Sequence, residues 1–213
     1  TTMKTDELIR LMAEDAPVRV RFGRQAFMAL VAGTLAALAL LLLSVGIRPN
    51  LGQALETARV LFKVAETLLF AILAARLVFL VGRPGASLKA AATMLLLPLV
   101  LLGAAIAAEL FALPPDAWRR NLMGSHPVFC VVFVPLLALL PLAAFLIALK
   151  QAAPDDPGMA GAVAGLAASG IASAVYAWHC QDDSPLFLAT WYGMATVVVT
   201  TTGYIAGRRL LRW

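Results

Sequence analysis

Two cysteines and two histidines are the residues of this chain best suited to metal binding or redox chemistry. They fall into two pairs, His126 with Cys130 and His179 with Cys180. A spacing of four residues places His126 and Cys130 on one face of a helix, whereas His179 and Cys180 are adjacent. Thiolate and imidazole groups are ligands for soft and borderline metal ions, and two thiols can also be oxidised to a disulfide.

These two pairs allow three interpretations. With two carboxylates that follow in the chain, they form a candidate set of metal ligands, consisting of His126, Cys130, His179, Cys180, Asp182 and Asp183. In an oxidising compartment the cysteines can instead form a disulfide or a reversible thiol switch. The third interpretation is structural, with the cysteines as small apolar helix residues and the histidines as polar interfacial residues. Because the pair is not a C-x-x-C motif, spacing alone does not place the sulfurs within bonding distance.

The composition of the chain places these residues in a membrane protein. Apolar residues make up 62% of the sequence, charged residues make up 14%, and the mean hydropathy is +0.87. A soluble domain is nearer half apolar and a quarter charged, and one core of this size could not bury so much apolar surface. At about 20 residues per transmembrane helix, the length fits six spans and leaves no room for a soluble domain of ordinary size.

Six apolar segments predict an all-α membrane protein, a bundle of six transmembrane helices. The predicted spans cover residues 25–47, 63–82, 90–113, 127–149, 158–178 and 186–207. Breaks rich in proline or aspartate separate several of them, and proline ends helices because it lacks an amide donor and clashes with the preceding turn. In the fifth span Gly161, Gly165 and Ser169 recur every four residues, which predicts a small-residue face for close helix packing.

The distribution of lysine and arginine predicts the orientation of the bundle. With the N-terminus inside, the inner segments hold 11 of the 17 basic residues, the outer segments hold 5, and Arg76 lies within a span. Because cytoplasmic loops are enriched in lysine and arginine, we expect both termini in the cytoplasm, in the inner membrane of a bacterium. The cysteines and histidines then all lie at the periplasmic rim. The basic residues form no stripe with interleaved aromatics, so we expect no direct contact with nucleic acid.

Residues 1–24 form a predicted cytoplasmic tail, and residues 25–213 form the membrane domain. The tail contains a short amphipathic helix over residues 5–15. Its apolar side chains are Leu8, Ile9, Leu11 and Met12. A helix this short is only marginally stable alone in water, so its apolar face needs a partner. That partner is membrane lipid, the bundle itself, or another protein with a hydrophobic groove.

Three charged residues fall inside predicted spans, namely Glu66, Arg76 and Glu109. A charge at the centre of a span costs about 2.5–3.5 kcal/mol on insertion scales, and less near the ends, where long side chains reach the interface. We expect Arg76 to anchor its helix at the inner interface. The two glutamates are expected to line a polar pocket or to pair with a basic residue near the outer helix ends, which are Lys63, Arg119 and Arg120.

Several segments of the chain resemble the NrsF family of bacterial membrane anti-sigma factors, the negative regulators of sigma F. They are the start MKTDELI at residues 3–9, the six spans, Cys130, the stretch WHCQDDSP at residues 178–185, and the pair Trp191-Tyr192. The resemblance extends over the whole chain. It implies a protein that holds an extracytoplasmic-function (ECF) sigma factor at the inner membrane and keeps it from core RNA polymerase.

The resemblance also implies roles for particular residues. The sigma factor would contact the cytoplasmic side, including the four apolar residues of the tail. Cys130 and Cys180 would sense heavy metal ions or oxidation from the periplasmic side. No cofactor is implied other than a soft or borderline metal ion that acts as the signal. The oligomeric state does not follow from the sequence.

Two other functions fit some of these residues. A membrane thiol oxidoreductase would use the two cysteines and would need a redox cofactor or a quinone site. A small transporter would use Glu66 and Glu109 as a path for protons or cations. The sequence carries no Walker loop, glycine fingerprint, serine nucleophile elbow or zinc-protease motif, so we expect that the protein is not an enzyme.

Overall fold

The computed structural model describes residues 22–83, 87–152 and 154–211. Within these ranges all regular structure is helical. In chain order the helices are α1 (Phe22–Ser44), α2 (Leu51–Ala54), α3 (Ala58–Val81), α4 (Lys89–Met94), α5 (Leu96–Ala112), α6 (Pro115–Met123), α7 (Pro127–Leu149), α8 (Pro157–Tyr176), α9 (Pro185–Phe187), a π-helical turn (Leu188–Tyr192) and α10 (Gly193–Leu210). The predicted tail helix, with Leu8, Ile9, Leu11 and Met12, lies outside the described residues.

Six segments of the described chain are long and apolar enough to cross a membrane, as the sequence predicts. They contain α1, α3, α4 with α5, α7, α8, and α9 with α10. Large apolar side chains such as Leu43 and Phe111 are exposed on the surface of the bundle. Such surfaces are stable against lipid, and helices suit them because every backbone polar group is paired within the segment. The prediction of an all-helical protein with six candidate spans is confirmed.

Helix α8 lies at the centre of the bundle. It packs against α1, α3, α7 and α10, and 83% of the residues in its apolar stretch are buried inside the protein. Its sequence is mostly alanine, glycine and serine, so the neighbouring helices can approach its backbone closely. The segment formed by α4 and α5 lies at the periphery instead, and only 11% of the residues in its apolar stretch are buried.

The backbones of α8 and α10 touch at glycine residues. A Cβ atom added at Gly161 would lie 2.2 Å from the carbonyl oxygen of Gly203, and one added at Gly165 would lie 2.6 Å from that of Val199. Neither position has room for a side chain unless one of the helices moves. Ser169, the third residue of the predicted small-residue face, is fully buried. The structure therefore confirms that this face is used for close packing.

Two spans begin earlier than predicted. Helix α1 starts at Phe22 and ends at Ser44, followed by Gly46 in the left-handed region with a φ of 69°, which ends the helix. Helix α3 begins at Ala58 rather than at residue 63, because the apolar Val60 is buried in the bundle and extends the helical segment. Lys63 consequently lies inside α3 and not at its start.

Two further differences involve prolines. The predicted span 90–113 is interrupted at Leu95, between α4 and α5. Pro98 has no amide hydrogen to donate to the carbonyl of Met94, so the regular helical bonding is broken there. The break before the fourth span contains a further helix, α6, which begins with Pro115, a residue well suited to the first helical position.

The loops of the bundle gather at two ends. We call one end the cysteine rim, and hydrogen bonds link its three loops, which are residues 45–57, 113–126 and 177–184. We call the other end the tail rim, where the side chains of Gln25 and Gln151 are hydrogen-bonded. Both cysteines and both histidines belong to the cysteine rim, so the structure places these four residues at one end of the bundle.

Candidate functional site

The loop of residues 177–184 is the centre of the cysteine rim, because it joins α8 to α9 and carries His179, Cys180, Asp182 and Asp183. Arg48 and Lys63, which belong to other parts of the chain, bind the backbone of this loop. The amide of Arg48 donates to the carbonyl of Trp178 at 3.1 Å, which ties the loop to the segment after α1.

Lys63 reaches this loop from inside the bundle. It is one of the most buried side chains of the protein, at 1% exposed. Its ammonium donates to the carbonyl of Cys180 at 2.7 Å and to that of Asp182 at 3.2 Å, and it pairs with the carboxylate of Asp183. A buried ammonium is costly unless its hydrogens are bonded, and here three acceptors surround it. Lys63 therefore fixes the backbone of Cys180 against α3.

Arg48 is the second cation on the same carboxylate. Its Nη1 donates to both carboxylate oxygens of Asp183, at 3.0 and 3.1 Å, and to the carbonyl of Cys180 at 3.4 Å. Its Nε donates to Asn50 at 3.0 Å. Asp183 is thus a single anion between two buried cations, and the carbonyl of Cys180 accepts hydrogen bonds from both.

The other acidic residues of the rim are also engaged by protein groups. Asp182 accepts two hydrogen bonds from the backbone amide of Ser125, at 2.9 and 3.1 Å. Glu109 accepts from the hydroxyl of Ser184 at 2.7 Å and pairs with Arg59 at 3.2 Å. The sequence predicted either a polar pocket or an ion pair with Lys63, Arg119 or Arg120 for Glu109, but its basic partner is Arg59. Helix α3 starts early enough to bring Arg59 to the glutamate, and Lys63 is held by Asp183.

Both cysteines are buried and free, and no bond joins them. Cys130 lies in the first turn of α7, close enough to Cys180 for an electrostatic interaction between the two sulfur atoms. The Sγ atom of Cys180 lies 3.7 Å from the carbonyl oxygen of Asp182. Burial raises the pKa of the Cys180 thiol, and the nearby Lys63 ammonium opposes that rise only in part. The thiol is therefore protonated at neutral pH, and bonding to a soft metal ion releases its proton.

Aromatic residues lie close to the two cysteines. Tyr176 packs against Phe133 with a centroid distance of 5.9 Å and against Tyr192 at 5.7 Å, and both tyrosines interact electrostatically with the two sulfurs. Tyr192 lies in the π-helical turn, a distortion that is often found at functional sites. The neighbouring Trp191 donates to the carbonyl of Leu122 at 2.7 Å and ties this turn to α6.

The structure does not bring the six predicted metal ligands together. Within the described part of the chain, no group of three or more histidine, cysteine or acidic side chains is arranged to hold a metal ion. The Nδ1 of His179 lies 3.0 Å from the carbonyl oxygen of Gly46, and His126 is exposed. Asp182 and Asp183 are bonded as described above. Only Cys130 and Cys180 remain near one another without strong partners for their sulfur atoms.

The two remaining charged residues of the spans lie in different surroundings. Arg76 is exposed on α3 toward the tail rim, and its Nη1 lies 3.2 Å from the sulfur of Met94. Glu66 is buried on α3, lines a pocket beside α5, and has a carboxylate oxygen without a hydrogen-bond partner among the described residues. The sequence predicted a polar pocket as one alternative for this residue, whereas the pocket that Glu66 lines is mostly apolar.

Sequence reasoning missed the role of Arg48 and Lys63. Arg48 was counted only as an outer basic residue, and Lys63 was expected to pair with a glutamate. Their actual contacts join parts of the chain more than 110 residues apart. A usable signal was present, since two basic residues flank the second span and two aspartates follow Cys180 at the same rim. Opposite charges at the same end of an apolar bundle are expected to pair.

Comparison with known proteins identifies the family. The NrsF family, described as "Negative regulator of sigma F", matches residues 11–213. The protein named "Anti-sigma-F factor NrsF" of Caulobacter vibrioides is 34% identical over 218 aligned positions, which cover 99% of this chain and 100% of the relative. The "Probable anti-sigma-F factor NrsF" of Azospira oryzae is 30% identical over 213 positions, with the same two coverages. No solved structure matches. Since the match is nearly full length in each comparison, this chain belongs to the NrsF family of negative regulators of sigma F.

Proposed function

We propose that this protein is a membrane anti-sigma factor that binds an ECF-type sigma factor at the bacterial inner membrane and keeps it from core RNA polymerase. The observation that supports this function is the full-length similarity to two proteins named as anti-sigma-F factors. The six candidate spans support a membrane location, and the excess of lysine and arginine on the tail-rim segments supports a cytoplasmic tail rim. A sigma factor is cytoplasmic, so it would bind at that end.

The proposed contact surface includes the N-terminal tail. Its apolar residues Leu8, Ile9, Leu11 and Met12 suit the helix-in-groove type of recognition, in which an amphipathic helix inserts its apolar face into a groove of the partner. The basic inner loops around residues 83–89 and 150–157 would extend this surface. The protein would act on transcription through the sigma factor, without direct contact with nucleic acid.

We further propose that Cys130 and Cys180 form the sensor. A thiol-reactive metal ion or an oxidant would engage both sulfurs, which are neighbours at the cysteine rim but belong to different elements, α7 and the loop after α8. The carbonyl of Cys180 is bonded to Lys63 of α3, so a shift of this loop would also act on α3. Helices α3, α7 and α8 would then carry the change to the tail rim and lower the affinity for the sigma factor.

The energies are sufficient for such a switch. Moving a two-state equilibrium from almost fully bound to almost fully free requires a differential affinity of about 5.5 kcal/mol. Metal–thiolate sites in proteins are worth on the order of 10 kcal/mol. A site of two thiolates without a third ligand would provide only part of this binding free energy. The metal ion would be a transient signal rather than a resident cofactor.

The first experiment tests the sigma contact. The full-length protein, purified in mild detergent, is expected to retain a co-expressed sigma factor, and deletion of residues 3–16 is expected to reduce the retained amount at least tenfold. A variant with Leu8 and Leu11 changed to serine should behave like the deletion, while a Thr5→Ala control should not. Undiminished binding without the tail would contradict the tail as contact and transfer the role to the inner loops.

The second experiment tests the sensor. With both Cys130 and Cys180 changed to serine, repression of a sigma-dependent reporter is expected to persist and induction by cadmium or chromate to disappear. Because a serine hydroxyl in a buried site can destabilise a protein, the same pair changed to alanine is measured in parallel. An undiminished response to cadmium in either repressing double variant would rule out the cysteine sensor.

The two alternative functions find less support in the contacts. For a transporter, Glu109 would need to exchange protons or cations with the solvent, but it is held by Ser184 and Arg59. For a thiol oxidoreductase, a partner would need access to a sulfur atom, but Cys130 and Cys180 are only 0% and 4% exposed. A small metal ion or oxidant reaches such buried thiols more easily than a protein disulfide does.

A further inference from the structure

A pocket of about 430 Å³ lies between α3, α5, α8 and the turn that leads into α10. Its size falls in the range of small-molecule sites, which are typically 300–1,000 Å³ and mostly apolar with a few polar groups. One end is near the cysteine rim, since Glu66 lies eight residues, or about 12 Å, from the start of α3. The other end reaches Leu95 and Pro98 near the break between α4 and α5.

Several polar side chains of this pocket lack a strong hydrogen-bond partner among the described residues. Glu66, Ser173 and Tyr192 line it, and each is at least nine-tenths buried. In the part of the chain that the structure describes, a carboxylate oxygen of Glu66 and the hydroxyl of Ser173 make no hydrogen bond, and the hydroxyl of Tyr192 has only the sulfur of Cys180, a weak acceptor, beside it. Buried polar groups are nearly always bonded, because an unpaired one costs about 1–3 kcal/mol. Two unpaired groups and one weakly paired hydroxyl around one pocket point to a ligand that supplies the missing bonds.

The walls of the pocket limit the chemistry of that ligand. The polar groups cluster toward the cysteine rim, and the remaining lining is largely aliphatic, as in Leu99, Leu102 and Leu166. The lining also includes the aromatic residues Phe70 and Tyr192, and aromatic side chains pack well against flat rings. A phosphate or other anion would be repelled by the carboxylate of Glu66, and none of the described residues that line the pocket is basic.

We propose that this pocket binds a membrane quinone or its quinol, an uncharged aromatic ring with ring oxygens and an apolar tail. The ring lies between Phe70 and the π-helical turn. A ring oxygen accepts hydrogen bonds from Tyr192 and Ser173, and the hydroxyl of a quinol donates to Glu66. The tail extends along the leucines toward Pro98. Because Tyr192 also lies beside Cys180, the bound ring sits next to the cysteine rim.

The test measures binding of decylubiquinone to the purified full-length chain by equilibrium dialysis, corrected for partition into empty micelles. Saturable binding of about one molecule per chain is expected. Gly193 lines the pocket, and a Cβ added there meets nothing within 4 Å among the described residues, so Gly193→Leu adds a side chain at the pocket wall and should weaken binding at least tenfold. Gly103→Leu is the matched control, because Gly103 also faces open space but does not line the pocket, and it should leave binding unchanged.

Two polar variants and a lipid competitor complete the test. Tyr192→Phe and Ser173→Ala each remove one hydroxyl and should weaken binding about three- to tenfold, the effect of one hydrogen bond. Monoolein, which has an acyl chain but no ring, should not compete at equal concentration. Non-saturable uptake, equal affinities of Gly193→Leu and Gly103→Leu, or competition by monoolein as strong as by the quinone itself would each overturn the assignment. No sigma factor is needed in these measurements, so they are independent of the proposed function.

Discussion

Replacing Asp183 by asparagine is expected to lower the free energy of unfolding by about 3–5 kcal/mol. The carboxylate pairs with Arg48 and Lys63, and both cations are more than nine-tenths buried. Asparagine keeps the size of the side chain but removes its charge, so two buried cations would lose their only acidic partner among the described residues. Removal of one partner of a buried ion pair costs more than the pair itself contributes, because the remaining charge is left without compensation.

The measurement is reversible unfolding in mixed micelles of mild detergent and sodium dodecyl sulfate, followed by circular dichroism. Asp155→Asn serves as the matched control, because Asp155 is an exposed aspartate of the opposite rim. It should change the stability by less than about 0.5 kcal/mol, as is usual for surface positions. If the Asp183 and Asp155 variants unfold at the same detergent fraction, the buried cations do not depend on Asp183.

Replacing Gly161 by alanine is expected to destabilise the protein by about 3 kcal/mol, at the upper end for an extra methyl group in a packed core. The added Cβ would lie 2.2 Å from the carbonyl oxygen of Gly203 and 2.7 Å from the Cα of Gly207. Both contacts are with backbone, so no side chain can rotate to relieve them. The helices α8 and α10 would have to separate, which also loosens their neighbouring contacts.

Gly103→Ala is the matched control for this variant, because a Cβ at Gly103 meets nothing within 4 Å. Alanine has the higher helix propensity by about 1 kcal/mol, so this control should be neutral or slightly stabilising. The two substitutions are chemically identical, and only the surroundings differ. Equal unfolding midpoints for the two variants would show that α8 and α10 are not in backbone contact.

The large features of the fold could be predicted from the sequence because they depend on local composition. Six apolar segments, their proline-rich ends and the small-residue face at Gly161 and Gly165 are all properties of short stretches of chain. The boundaries were less accurate. The early start of α3 depends on the burial of Val60, and the break at Leu95 depends on Pro98 several residues later.

The site was predictable only in part. The sequence indicated that both Cys–His pairs share one rim, because this follows from counting spans. It did not indicate that Asp183 forms ion pairs with Arg48 and Lys63 instead of binding a metal ion, since those contacts depend on how distant helices pack. Tyr192 was also missed as a neighbour of Cys180, because its position is set by the π-helical turn, which the sequence pattern did not reveal.

The glycine contacts between α8 and α10 have a mechanical consequence. Two helices whose backbones touch at Gly161, Gly165 and Gly203 cannot slide or tilt against each other without a clash, so they move as one rigid frame. The loop with Cys180 joins the two helices of this frame at its end. Under the proposed sensing mechanism, a displacement of that loop would therefore move α3 and α7 relative to the frame. Cross-links between α8 and α10 should leave signalling intact, whereas cross-links from α8 to α7 should block it.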